Sequence, residues 1–368
     1  MVFKISILFF LCLLQHSLFA QEVIPFTSER WQLPKDAKLE KYQEQSSVFL
    51  SGNAAFLKDA KFLNGIIEYD VAFSEKRGFV AVIFRAQDNK NYEEFYLRPH
   101  QSGNPDANQY APLYNGMSSW QLYYGKDFSA PAKYAFNQWM HVKLVISHQQ
   151  MEVYLNDMSK PALFVPELKR PLQPGYLGVS SLVGEARFAN FTYTPMDTVT
   201  LQNSSTFNSS KVVIPGTIAQ WQVSNVFIEK KIEDKLYLSK ADKEGLVWLP
   251  MKAEVSGLLN LAAAPNASET NNSVYAKISL HSDKAKLMRF NFGFSDRARI
   301  FLNDQLIYFG HDEFASRDYR FLGTIGFFDT LYLPLKKGRN ELWVAVSEGF
   351  GGWGLLAQIE AGEVKIVE

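Results

Sequence analysis

Short runs that alternate apolar and polar residues recur along this chain, separated by turns rich in Asn, Asp, Gly and Lys. In the first half they fall at 46–51, 65–73, 78–86, 92–98, 119–124, 139–147, 151–156, 163–165, 176–180 and 186–193. A period of two puts successive side chains on opposite faces of a strand, so such a run can cover a core with one face only. Many of them at short spacing predict an all-β protein of packed sheets. The series resumes at 214–223, 246–250, 274–281, 287–294, 298–302, 305–309, 330–335 and 340–347, which predicts a second β-sandwich of jelly-roll type. Asn303-Asp304 should make a short hairpin turn, and 337–340 should close another. No helix is required after the first residues.

The length suits two domains, each with its own core. Residues 1–20 read as a secretory signal: Lys4, an apolar stretch over 5–14, and Ser17 to Ala20 before Gln21. That stretch is too short to span a bilayer and no second one follows. The sandwiches are expected over 21–195 and 212–368. Residues 196–211, rich in Ser, Thr and Asn, are expected to join them as a linker. The one cysteine, Cys12, lies in the apolar stretch, so the mature chain has no thiol for a disulfide, a zinc site or a nucleophile. Export without cysteine points to a bacterial periplasm or exterior. Lys plus Arg equals Asp plus Glu at 38 each. A chain that binds nucleic acid would want a basic stripe, and none is visible.

Strand parity predicts one polar face. In 65–73 the apolar set is Ile67, Tyr69, Val71 and Phe73, opposite Glu68 and Asp70. A hairpin through 74–77 would place Val80, Val82 and Phe84 with that apolar set and Arg85 with the carboxylates. Phe95 and Leu97 want the core, leaving Glu94, Tyr96 and Arg98 on the polar face. This needs a bulge or a four-residue loop within 87–91, since five residues give the wrong parity.

Beyond that strand, 91–125 packs aromatic rings among planar polar groups: His100, Gln109, Tyr110, Tyr114, Asn115 and Trp120 join Glu94, Tyr96 and Arg98. A sugar ring can stack its C–H face on an aromatic while its hydroxyls take planar hydrogen-bonding partners. The expectation is therefore glycan binding on the polar face and its rim loops, with Arg85, Tyr96, Arg98, His100, Gln109, Tyr110, Tyr114, Asn115 and Trp120 as binding residues.

From 62 to 192 the chain resembles the concanavalin A-like sandwiches of the laminin-G and 3-keto-disaccharide hydrolase type. The resemblance is carried by FLNGIIEYD, Phe84-Arg85, Tyr92-Glu93, WMHVKLVIS and the run from Val153 to Asn156. It implies a sandwich whose sheet face or rim loops meet glycans. From about 274 to 360 the chain resembles the galactose-binding-like jelly rolls, through the stretches from Phe292 to Gln305 and from Leu333 to Leu342. That second resemblance implies a structural turn at Asn303-Asp304 and carries over no site.

Cleaving a glycosidic bond usually takes two carboxylates, about 5–5.5 Å apart for retention or about 6.5–9.5 Å for inversion. Glu94 with Glu68 or Asp70 are the candidates. Against them, Arg85 and Arg98 would neutralise the same carboxylates in a binding or structural network. His100 could shuttle a proton or simply hydrogen-bond. No histidine pair has metal-ligand spacing. Structural calcium on Asp106, Asn108 and Asp127 is the one ion suggested, and no cofactor is called for. Three readings stand: a glycan-binding protein, a glycan-cleaving enzyme, and a structural or adhesive surface module. An unpaired, half-buried carboxylate would favour the second over the first.

Overall fold

A computed structural model describes residues 23–203, 214–318, 320–360 and 364–367. The expected signal at 1–20 and residues 204–211 of the expected linker lie outside them. The protein is all-β. Its first half contains β1 (Trp31–Gln32), β2 (Lys38–Tyr42), β3 (Gln45–Phe62), β4 (Gly65–Phe73), β5 (Phe79–Asp88), β6 (Asn91–Leu97), β7 (Asn108–Tyr114), β8 (Met117–Ser118), β9 (Ser129–Ala130), β10 (Met140–Ser147), β11 (Gln150–Leu155), β12 (Leu163–Val165) and β13 (Gly175–Pro195).

Two strands organise this half. β3 and β13 run side by side for most of their length, and each is long enough to pass from one sheet into the other. The first sheet is β12-β11-β10-β4, then the end of β13, the start of β3, and β2. In the second, β1 pairs the later part of β3, followed by the start of β13 and β5-β6-β7 with β8 and β9. Between them lies a core of Leu50, Phe62, Tyr69, Val71, Phe84, Phe95, Val142, Phe188 and their neighbours. Burying each such side chain stabilises by about 1.5–3 kcal/mol.

β4 and β5 do not form the expected hairpin. β4 lies between β10 and β13 in the first sheet, and β5 between β13 and β6 in the second. Glu68 and Asp70 therefore sit on the outer side of one sheet and Glu94 on the outer side of the other, with the core between. The required bulge exists but falls earlier than expected. The register slips between Phe84 and Asp88, Arg85 takes φ +49, and a tight turn returns the chain from Asp88 to Asn91.

The second half contains β14 (Gln220–Ser224), a single helical turn at Lys240–Lys243, β15 (Trp248–Lys252), β16 (Leu258–Asn260), β17 (Ser273–Ser282), β18 (Lys286–Ser295), β19 (Arg297–Leu302), β20 (Gln305–His311), β21 (Asp329–Leu335), β22 (Gly338–Ser347), β23 (Gly354–Ile359) and β24 (Lys365–Val367). A seven-stranded sheet, β15-β14-β17-β22-β19-β20 with β24 on β17, faces a four-stranded sheet, β16-β23-β18-β21. Trp221, Phe290, Phe292, Ile300, Val344 and Trp353 fill the core between them. The helical turn, unexpected from the sequence, is held by a capping box of Ser239 and Asp242. Asn303 and Asp304 both take positive φ in a two-residue hairpin. The 337–340 turn instead carries the chain from one sheet to the other, because β21 pairs β18 while β22 pairs β17 and β19.

The start of the expected linker is not free chain. Leu201 is buried against Val145 and Tyr154. The backbone N–H groups of Gln202 and Asn203 donate to the buried Glu152 carboxylate at 3.0 and 2.7 Å.

Candidate functional site

The outer face of the second sheet is the place to build from, because it collects aromatic rings around small residues. Register sets two rows across it. One runs Phe56, Gly178, Ile83, Glu94, Ala111; the next runs Ala54, Ser180, Ala81, Tyr96, Gln109. Gly178 leaves room for the Phe56 ring, which a Cβ there would meet at 2.9 Å. Phe56 and Tyr176 pack edge to face at 5.6 Å between ring centres, and Phe79 and Tyr96 lie 5.9 Å apart. Trp120 closes over Ala81, Tyr96 and Ala111. Phe56, Phe79, Trp120 and Tyr176 all stay half-exposed.

Most polar groups on this face form one network, which leaves out the Ser180 hydroxyl and Glu94. Arg98 donates to the Asp106 carbonyl at 2.8 Å and carboxylate at 3.2 Å, to the Tyr96 hydroxyl at 2.7 Å and to Gln109 Oε1 at 2.6 Å. Tyr96 also donates to Gln109 Oε1 at 2.9 Å. The Gln109 amide nitrogen donates to the carbonyls of Trp120 at 2.9 Å and Tyr123 at 2.5 Å, fixing the turn that presents Trp120. Arg98 also stacks on Tyr96 and Trp120, its guanidinium 4.9 and 5.5 Å from their ring centres.

Glu94 lies outside the network. It is 8% exposed, and among the described residues no hydrogen bond or ion pair reaches its carboxyl. Burial pushes its carboxyl up to about 8, with the Arg98 charge pulling the other way. At neutral pH it is mostly protonated, a donor rather than an anion.

The other expected site residues are placed differently. Arg85 leaves the outer face at its bulge and turns into the core. There it meets Glu93 at 3.1 Å and donates to the carbonyls of Leu63 at 2.7 Å and His148 at 2.5 Å. Tyr110 is not on a loop. It is buried in β7, donating to Glu93 at 2.6 Å and accepting from the Lys169 N–H at 2.6 Å. Tyr114 is half-buried, with its hydroxyl on the Lys169 carbonyl at 2.8 Å and Arg170 stacked 4.5 Å from its ring centre. Asn115 faces the second half of the chain, donating to the carbonyls of Ala262 and Ala264 at 2.8 and 3.1 Å. His100 packs 5.5 Å from Phe79, and burial, then Arg77 and Arg98, hold its pKa below the ordinary histidine value.

Glu68 and Asp70 serve His141 on the opposite sheet. His141 Nδ1 lies 2.7 Å from Asp70, and Nε2 lies 3.7 Å from Glu68. The Asp70 bond, then Glu68, raises the imidazole to about 9. No carboxylate pair forms between Glu94 and either of them. Among the described residues no group of three His, Asp or Glu could hold a metal ion. Of the suggested calcium ligands, Asp106 is engaged by Arg98, Asn108 is buried and donates to the Ala130 carbonyl, and Asp127 is exposed.

Residues 119–124, expected as a strand, are turns that join the two halves of the molecule. Gln121 receives and gives on four sides. Its N–H donates to the Gly351 carbonyl at 2.9 Å, its carbonyl accepts from Ile325 at 3.1 Å, its amide donates to the Leu322 carbonyl at 2.8 Å, and its Oε1 accepts from Ser295 at 3.2 Å. Tyr124 donates to the Ile325 carbonyl at 2.6 Å and Tyr123 to Glu254 at 2.5 Å. Leu122 and Tyr123 pack on Leu258, Ile325 and Leu356. Phe56, Phe79 and Tyr176 escaped the sequence reading. Phe56 belongs to the part of β3 beyond 51, where alternation across a sheet-to-sheet bend no longer reads as one strand.

No family model matches the chain, and no curated protein matches it. Among solved structures it is similar to the carbohydrate binding module CBM66 from Bacillus subtilis, at 18% identity and TM-score 0.34 over 44% of this chain and 94% of that one. A Bacillus subtilis protein of unknown function with a galectin-like fold matches at 10% identity and TM-score 0.36, over 46% of this chain and 92% of that one. The Bacillus licheniformis beta-glucanase matches at 10% identity and TM-score 0.33, over 48% of this chain and 98% of that one.

Proposed function

We propose that this is an exported, two-domain carbohydrate-recognising protein, and that glycan lies on the outer face of the second sheet of its N-terminal sandwich. One observation carries the reading. A nearly buried carboxyl without a partner, Glu94, sits in a floor of Gly178, Ala81 and Ala111 beneath half-exposed rings of Phe56, Phe79, Trp120 and Tyr176. Rings offer stacking faces, small residues leave space for a ring to approach, and a protonated carboxyl can both donate to and accept from hydroxyls. Arg98, Tyr96 and Gln109 support this floor rather than reach outward, since their groups bond to one another. Tyr110, Tyr114 and Asn115 act below or beside it.

A panel of immobilised glycans, probed with the wild type, Glu94→Gln and Trp120→Ala, tests the reading. Retention of the wild type and loss in Trp120→Ala is the expected result. A wild type that binds no glycan would refute it.

Glu94 also supports a second reading, in which it protonates the leaving oxygen of a glycosidic bond. A carboxyl still protonated at neutral pH is what a general acid needs. The partner carboxylate such cleavage requires is not supplied by Glu68 or Asp70, so binding ranks first. Product release from any glycan that disappears in Glu94→Gln would reverse the ranking.

A further inference from the structure

The glycan face does not end at the edge of the N-terminal sandwich. Trp120, which closes over its floor, meets Phe350 of the second half with ring centres 6.1 Å apart. Phe350 is 59% exposed. Phe314 is also exposed, and its backbone lies close to Gln121: a Cβ on Gly323 would lie 3.1 Å from the Phe314 nitrogen and 2.2 Å from the Gln121 amide. The segments that carry these rings are those that Gln121 and Tyr124 bind, so the rings stand in fixed relation to Trp120.

We infer that the ligand is an extended, uncharged polysaccharide chain, running from Phe79 over Trp120 onto Phe350 and Phe314, so that both halves of the molecule hold it. This rests on the glycan reading above. Three observations favour this occupant. The exposed side chains along the path are mainly flat aromatic rings, which suit stacked sugars. Three arginines beside the path are matched by acids: Arg98 by Asp106, Arg297 by Glu229 and Glu313, Arg317 by Asp312 and Asp329. Arg77, 5.7 Å from the Phe79 ring centre, is left without an ion pair among the described residues, and one such charge at one end is not the basic row an acidic polymer would want. The path is also continuous with the proposed floor through one direct ring contact.

Titration calorimetry on the full mature chain with length ladders of neutral oligosaccharides (glucans, xylans, mannans, galactans and fructans) tests this. Affinity should rise with chain length in the wild type. Phe350→Ala should weaken the longest ligand about tenfold, as loss of an aromatic anchor does, and leave the disaccharide unchanged. Trp120→Ala should weaken both. Glycan binding whose length dependence survives Phe350→Ala and Phe314→Ala would overturn the inference and leave the binding reading intact. Failure of the wild type to bind any of the sugars would instead strike the binding reading. Self-association by sedimentation velocity that Phe350→Ala abolishes would mark the face as a contact between copies and overturn the inference too. Phe350 is exposed enough that its alanine variant keeps the fold, checked by an unchanged unfolding transition.

Discussion

The Arg85 guanidinium and the Glu93 carboxylate meet at 3.1 Å inside the N-terminal sandwich, with side chains 1% and 0% exposed. Both come from neighbouring strands, and the bulge at Arg85 is what lets them share the interior. Tyr110 caps the second carboxylate oxygen, and the carbonyls of Leu63 and His148 and the Asn64 side chain accept from other guanidinium N–H groups. Every charge has a partner, so the pair tolerates burial only as a set.

Glu93→Ala strands the arginine. It should destabilise the N-terminal sandwich by about 3–5 kcal/mol, the range for breaking a buried pair. Glu93→Gln should cost less, because the amide oxygen still accepts from Tyr110. Urea unfolding followed by tryptophan fluorescence measures both, and equal losses in the two variants would refute the account.

His141 should make stability depend on pH. Its folded pKa is raised to about 9 by Asp70 and Glu68, above the unfolded value of about 6.5. The stabilisation is therefore complete below about 6.5 and disappears as pH rises through about 9. The partly exposed ring makes the effect modest. Thermal unfolding across that window should slope downward in the wild type and more weakly in His141→Gln. An NMR titration placing His141 near the ordinary histidine value would contradict it.

Glu94 works in the opposite sense to a salt-bridged acid. Its folded pKa is about 8, above the unfolded carboxyl value, so the folded state loses stability as pH rises from about 4.5 to about 8. Glu94→Gln should remove that loss and be the more stable protein at alkaline pH. If the protonated carboxyl donates to a glycan hydroxyl, wild-type affinity should also fall above pH 8 while Glu94→Gln binds with little pH dependence. Parallel pH profiles for both proteins would exclude that role.

Gly351 is held at φ +97, where a Cβ would come within 2.6 Å of the Gln121 side chain and 2.8 Å of Trp120 Nε1. Gly351→Ala should cost about 1–3 kcal/mol in backbone strain, beyond the clash. The damage should centre on the junction: hydrogen exchange should speed up at 119–124 and 322–325 while both cores remain protected. Uniform loss of protection would show that the junction and the cores unfold as one unit.

What could be read in advance was decided by alternation. The strands around Val71 and Val142 were legible because one face of each is buried and the other carries polar, partly exposed residues. So was the Asn303-Asp304 hairpin, where both turn residues must accept positive φ. Pairing was not legible. Nothing local distinguishes a hairpin from a crossing between sheets, and for that reason Glu68, Asp70 and Glu94 were expected on one face. The destination of Arg85 depended on one extra residue in a strand, a shift that sequence periodicity does not register. Residues 108–114 pass for an aromatic loop because Gln109 and Asn108, both buried, interrupt the apolar pattern with groups satisfied only in three dimensions. Trp120 was identified as a ring of interest, but its contact with Phe350 joins parts of the chain 230 residues apart.

β3 and β13 leave one consequence for how the molecule comes into being. The strand at 175–195 is a central member of both sheets of the N-terminal sandwich, and its principal neighbour lies at 45–62. A growing chain must therefore hold 45–62 without its principal partner until the last of this segment is available. Such distant pairing makes for slow assembly and a long-lived sticky intermediate. A fragment stopped before 175 would hold most of the core residues yet have no keel to lay them on.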